Sequence, residues 1–235
     1  MKTPAYTESH SFGTSVQPYV QYLIEELIAS LPDRRLLSSG QRRGIIARYT
    51  AVLEGNFIYW MTAAYLSVKS EKARLIILDN LLEEVRDSHP RMLRNFALAA
   101  DGLPTDSDSM AIHDDLTNVR MFMGQLSGVR IIITMAFFEG FIQRFMAYLA
   151  ELAAAQGSTE FEYTDVHGVC DITHTEELFH ALAAEIALNP AEPSTELFEG
   201  VDLLRNLILR IVDPALLNQK VHPVPTASHA CAGRD

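Results

Sequence analysis

A carboxylate interrupts the most apolar stretch of the chain: Ile131-Ile-Ile-Thr-Met-Ala-Phe-Phe138 runs straight into Glu139, and Gly140-Phe-Ile follows. At helical spacing, the neighbours of Glu139 at −7, −4, −3, +3 and +7 are Ile132, Met135, Ala136, Ile142 and Met146, so Glu139 belongs to a face that must be buried. An ionised carboxylate in such a place is neutralised, paired with a cation or bound to a metal, because alone it costs several kcal/mol. The uninterrupted apolar run falls far short of the roughly 20 residues that span a bilayer. The segment therefore reads as the central helix of a helical core, and no membrane span is expected.

The rest of the chain has the same helical period. Val20, Leu23, Ile24, Leu27, Ile28 and Leu31 repeat at 3–4 residue spacing and stop before Pro32. A long second helix is expected from Gly40 to about Ser70, a third from Lys72 to about Arg86, and a fourth from about Arg91 to Ala100 after the break at Asp87-Ser88-His89-Pro90. Asp101-Gly-Leu-Pro104 and the polar residues after it form a loop. A helical region from about Met110 to Ala155 follows, with a bend near Gly124 or Gly128. The next helix carries His167 and ends near Asn189-Pro190, and a last amphipathic helix spans about Ser194 to Leu217. Residues 1–14 are expected to be a flexible arm and 218–235 a disordered tail, leaving one domain over 15–217. No segment shows strand period, so the expected fold is an all-α bundle of about seven helices.

The answer to Glu139 lies in Tyr163-Thr-Asp-Val-His167-Gly-Val-Cys-Asp171-Ile-Thr-His174. Offsets of i, i+4 and i+7 place His167, Asp171 and His174 within about 60° of one another around a helix. Two imidazoles and a carboxylate on one stripe are a donor mix suited to ferrous iron. A further acid and imidazole come from Asn80-Leu-Leu-Glu83-Glu84-Val-Arg-Asp-Ser-His89-Pro, where the helix break lets otherwise divergent side chains turn toward one point. Alternatives stand beside this reading: Glu139 could pair with an arginine, and Glu83, Glu84, Arg86 and Asp87 could be a solvated face. Taken together, Glu84, His89, Glu139, His167, Asp171 and His174 supply three carboxylates and three imidazoles, enough for two ferrous ions with Glu139 or Asp171 as a bridge.

On these residues the chain resembles the heme-oxygenase-like diiron oxidases, helical proteins that keep the heme oxygenase scaffold and replace heme with two non-heme irons. The resemblance spans about residues 15–217, and the His167-x-x-x-Asp171-x-x-His174 element is its most specific part. It implies that the six residues are the iron ligands, with two Fe(II) as cofactor and dioxygen as co-substrate, and it leaves Glu83 as the alternative to the preferred Glu84. It also implies an oxidase acting on a small molecule, since members desaturate or fragment free amino acids, oxidise nitrogen or decarboxylate fatty acids. A ferritin-like site needs two Glu-x-x-His pairs, and only Glu177-Leu-Phe-His180 fits. Heme would leave Glu139 and Asp171 unexplained, and a metal-free interaction protein would leave the whole constellation a coincidence.

Charge and cysteine content narrow the partners. With 19 Lys and Arg against 30 Asp and Glu, the formal charge of −11 disfavours nucleic acid and anionic membranes. Only Cys170 and Cys231 are present, so a disulfide framework is not expected, and the N-terminal residues lack a secretory pattern; both suggest a cytoplasmic protein. A homodimer is possible. An acidic protein that takes a carboxylate substrate needs a local cation, for which Arg210, at the edge of the stripe Leu203, Leu204, Leu207, Ile208 and Ile211, is the candidate, with Arg205 expected further toward solvent. Tyr163 and Phe138 are candidate pocket walls, and a free amino acid is the expected substrate, ahead of a fatty acid.

Overall fold

A computed structural model of the chain describes residues 12–188 and 195–218. Among the described residues there are ten α-helices and three short 3-10 turns and no strand. The helices are α1 (Phe12–Ala29), α2 (Ser39–Leu53), α3 (Asn56–Ser67), α4 (Glu71–Arg86), α5 (His89–Ala99), α6 (Asp106–Ala111), α7 (His113–Met123), α8 (Gly128–Ala154), α9 (Glu162–Leu188) and α10 (Glu199–Val212). The all-α expectation holds, and the higher count comes from breaks that a period-based reading passes over.

The expected helix Gly40–Ser70 is two helices. Gly55 adopts φ +83°, and Asn56 holds the corner by donating to the Val52 carbonyl (2.7 Å) while accepting from Arg120 Nε (2.7 Å). The expected region Met110–Ala155 is divided at Gly124–Ser127, where a bend was expected, and Leu126 there takes φ +52°. α6 starts earlier than expected, at Asp106, because Thr105 and Asp108 form a reciprocal cap. At the other end, α1 begins at Phe12 and continues through Pro18, inside the segment expected to be a loose arm. The remainder of that arm, residues 1–11, and the expected tail beyond residue 218 lie outside the described residues.

α8 is the central element, with α9 making its most extensive packing and α1, α2, α3 and α10 surrounding it. By length and composition alone α8 could cross a membrane, but 83% of its most apolar window is buried by the other helices. Close approach is built in at Gly140, beside Glu139, where a Cβ would lie 2.8 Å from Ile24 Cδ1 of α1 and 3.4 Å from Thr175 Cγ2 of α9. α4 and α5 both pack on α9 and touch each other. The N-terminus of α4 is tied down by Glu185 of α9, which is 1% exposed and accepts from the backbone N–H of Ser70 (2.8 Å) and Lys69 (2.9 Å). A carboxylate there satisfies donors that a helix start leaves free and opposes the positive end of the helix dipole. The consequence is that α4, α8 and α9 meet in a fixed register.

Candidate metal centre

Four helices contribute: Glu84 from α4, His89 from the start of α5, Glu139 from α8, and His167, Asp171 and His174 from α9. All six are 5% exposed or less. Burying so many ionisable groups together runs against the usual placement of charge at the surface and marks the place as one where chemistry outweighs packing. Their convergence depends on the break after Arg86: Ser88 has φ +60°, which turns the chain so that His89 starts a new helix and points back to the α4 acid.

Two groups of donors result. Glu84, His89 and His167 place one donor atom each within 4.8 Å of one another, with His89 Nδ1 2.7 Å from Glu84 Oε1 and His167 Nε2 3.9 Å from the same oxygen. The His89 and His167 rings meet edge to face, centroids 4.5 Å apart. The second group is Cys170, Asp171 and His174. Here His174 Nδ1 is 3.7 Å from Asp171 Oδ1 and 3.9 Å from Glu139 Oε2. Glu139 stands between the groups, since it also lines a cavity together with Glu84, His89 and His167.

Electrostatics follow from this crowding. Burial, with Glu139 adding repulsion, pushes the Asp171 carboxyl well above the ordinary range of about 3.8, even though His174 pulls the other way. Burial lowers His167 to about 4. Burial also opposes a charge on His174, but the facing acids, Glu139 foremost and then Glu83 and Asp171, override it and raise this imidazole to about 10. Cys170 donates to Asp171 Oδ1 at 3.2 Å, and burial pushes its thiol upward, away from a thiolate ligand.

Buried polar atoms are normally satisfied. Among the described residues, Glu139 Oε1, Asp171 Oδ2 and His174 Nδ1 are buried without a hydrogen-bond partner, and His174 Nδ1 lies within 4 Å of the other oxygen of each acid. A cation held among these side chains would offset their burial, and a set of carboxylate oxygens and imidazole nitrogens is one that ferrous iron accepts. The residues therefore fit an iron centre.

The structure separates the expected substrate residues. Tyr163 does line the cavity, 4.2 Å from the His167 ring centre, but its hydroxyl is engaged with that of Tyr49 at 2.8 Å; burial raises both phenols above their ordinary value. Phe138, by contrast, is packed against Trp60 and Phe57, with centroids at 5.2 and 6.0 Å, and is not among the residues lining the cavity. Arg210 is also not at the cavity: its side chain is 46% exposed and lies 3.5 Å from Asp115 of α7. α10 turns Leu204, Leu207, Ile208 and Ile211 into the core and packs against α7 and α8. Arg205, expected nearer solvent, is the less exposed of the two and pairs with Glu26 at 2.7 Å.

Two residues near the centre were not in the expected ligand set. Cys170 is four residues before His174, a spacing that places both on one face. Glu83 was weighed only as a substitute for Glu84, yet both reach the cluster: Glu83 Oε2 lies 3.1 Å from His174 Nε2. Consecutive residues diverge by about 100° on a helix, and α4 lies so that one acid turns inward and its neighbour meets His174 from the side.

The cavity beside the donors is completed by Leu53, Phe57, Ile58, Pro90, Leu93 and Ile142. Its volume is about 20 Å³, room for about one water. No lysine or arginine is among its described lining residues.

No curated protein matches the chain. A family model described as iron-containing redox enzyme matches residues 46–207, a span that includes all six buried donors and the helices carrying them. With the orphaned donor atoms and the all-helical architecture, that match leads to one conclusion: this chain belongs to the iron-containing redox enzymes of heme-oxygenase-like fold.

Proposed function

We propose that the protein is a non-heme diiron oxidoreductase that uses dioxygen to oxidise a small organic substrate. The observation that carries this reading is the closeness of Glu139, Asp171 and His174, each with a buried unpartnered donor atom, to a second buried group of Glu84, His89 and His167. Two groups of donors suit two ions, with Glu84, His89 and His167 holding one, Asp171 and His174 the other, and Glu139 placed to serve both. Two ferrous ions bound there would supply the electrons for reducing dioxygen.

The chain's own residues do the rest. Leu53, Phe57, Ile58, Leu93 and Ile142 keep bulk water from the donor face, which strengthens every electrostatic interaction inside. The cavity as it stands admits a molecule the size of water or dioxygen, so entry of an organic substrate requires this apolar wall to shift. Tyr163 accepts the His167 Nδ1 proton on its main-chain carbonyl at 2.8 Å and closes the wall with its ring. Its phenol keeps its proton in the bond with Tyr49.

The apolar lining favours a substrate whose reacting portion is hydrocarbon, which supports a fatty acid or an amino acid with an aliphatic side chain over a strongly polar one. Reception of a carboxylate by Arg210 is not part of this proposal. The test is anaerobic loading with ferrous iron, elemental analysis, and oxygen uptake during a screen of amino acids and medium-chain fatty acids. About two irons per chain and substrate-accelerated uptake are expected. Protein that binds no iron, or binds heme instead, refutes the reading, and loss of uptake in Arg210→Ala would restore that residue to the site.

A further inference from the structure

We propose that Glu83 is a positioning residue that fixes the tautomer of His174, so that His167 and His174 present opposite ring nitrogens to the metal: His167 its Nε2, His174 its Nδ1. The inference rests on the reading of this cluster as a metal site, and it concerns how the site is assembled. A histidine can ligate through either nitrogen, and the choice is set by what holds the other one. For His167, Nδ1 lies 2.8 Å from the main-chain carbonyl of Tyr163, one turn earlier on α9. A carbonyl oxygen only accepts, so Nδ1 carries the proton and the Nε2 lone pair is left facing Glu84 at 3.9 Å.

His174 is held the other way round. Its Nε2 lies 3.1 Å from Glu83 Oε2, and a carboxylate oxygen also accepts. Nε2 therefore keeps its proton. Nδ1 is the nitrogen left buried without a partner, facing Asp171 at 3.7 Å and Glu139 at 3.9 Å. The two rings stand on the same face of α9 two turns apart, yet one is oriented by its own helix and the other by α4.

Glu83 meets the ring nitrogen that points away from Asp171 and Glu139. Its side chain is 40% exposed, against 6% for Glu84 and 2% for Glu139. It thus stands at the rim of the cluster, as an orienting carboxylate behind a ligating imidazole does, and the pair Glu83-Glu84 lets one helix act on both halves of the centre.

The test uses the full chain labelled with 15N-histidine and loaded with Zn(II), a diamagnetic probe, with the imidazole nitrogens followed by long-range 1H–15N correlation and the His174 signals assigned with His174→Gln. A metal-shifted Nδ1 and a protonated Nε2 are expected for His174, and the reverse for His167. Zinc affinity, measured by competition with a chelating dye, should fall about 10- to 100-fold in Glu83→Ala. It should return close to the original in Glu83→Gln, whose amide oxygen still accepts the Nε2 proton. Because Glu83 is at the rim, both variants should fold. Zinc on Nε2 of His174, unchanged affinity in Glu83→Ala, or a Glu83→Gln variant as weak as Glu83→Ala would each overturn the inference while leaving the metal site standing. A wild-type chain that binds no zinc would overturn both.

Discussion

Asp171→Asn should make the metal-free protein more stable while removing its capacity to be stabilised by metal. The Asp171 side chain is buried, its Oδ2 has no partner, and burial together with Glu139 disfavours its charged form by more than His174 favours it. Asparagine keeps the shape and the acceptor for the Cys170 thiol while discarding the charge. Relief of one unsatisfied, desolvated acceptor is worth about 1–3 kcal/mol. At about 2–4 °C per kcal/mol for a domain of this size, the chelator-treated variant should melt about 2–12 °C above wild type. An acid whose folded pKa is raised costs stability above its unfolded value of 3.8, so the advantage of asparagine should shrink as pH falls toward that value. Manganese at about 100 times its dissociation constant should stabilise the wild type by about 2.7 kcal/mol. The variant should lack most of that gain, so its lead in melting temperature should be largely cancelled or reversed with metal. Scanning calorimetry of both proteins, with chelator and with Mn(II), measures all of this. A metal-free variant less stable than wild type would show that ionised Asp171 is a net stabilising partner of His174, and an undiminished metal-induced rise would remove Asp171 from the centre.

Glu185→Ala leaves the backbone N–H groups of Lys69 and Ser70 without their acceptor; it should cost about 1–3 kcal/mol in a denaturant melt and also weaken metal binding, because α4 carries Glu83 and Glu84, whereas a loss of stability with unchanged metal affinity would show that α4 keeps its register without the tie. His174→Ala should lower the iron content per chain and His180→Ala should not, since His174 is buried and His180 is exposed on the same helix; equal losses by elemental analysis would mean that α9 presents a different face.

The part of the site legible in the sequence was the part written at helical spacing. His167, Asp171 and His174 share a stripe because of their offsets alone, and Glu139 announces itself as a carboxylate on an all-apolar face. The turn at Asp87–Pro90 was also visible, and it does bring His89 against Glu84. Breaks with weaker local signals were not: a single glycine at position 55 in a continuing apolar period did not reveal that the chain turns there, because the corner is held by Asn56 and by Arg120, 64 residues away. The surroundings of Arg210 were illegible for a related reason. Its position at the edge of an amphipathic stripe is compatible with any neighbour, and only the packing of α10 on α7 shows that its partner is Asp115.

Local periodicity by itself determined the all-helical class, the buried face of α8 and the three-residue stripe of α9, since these depend on angles set within a few residues of chain. Tertiary structure alone decided which α4 acid turns inward, which nitrogen of His174 is left free, and that the cavity beside the donors has no lysine or arginine among its described lining residues. Those are properties of how separate helices are rotated and set against one another, and helices distant in sequence can be so arranged in many ways that leave each one's own pattern unchanged.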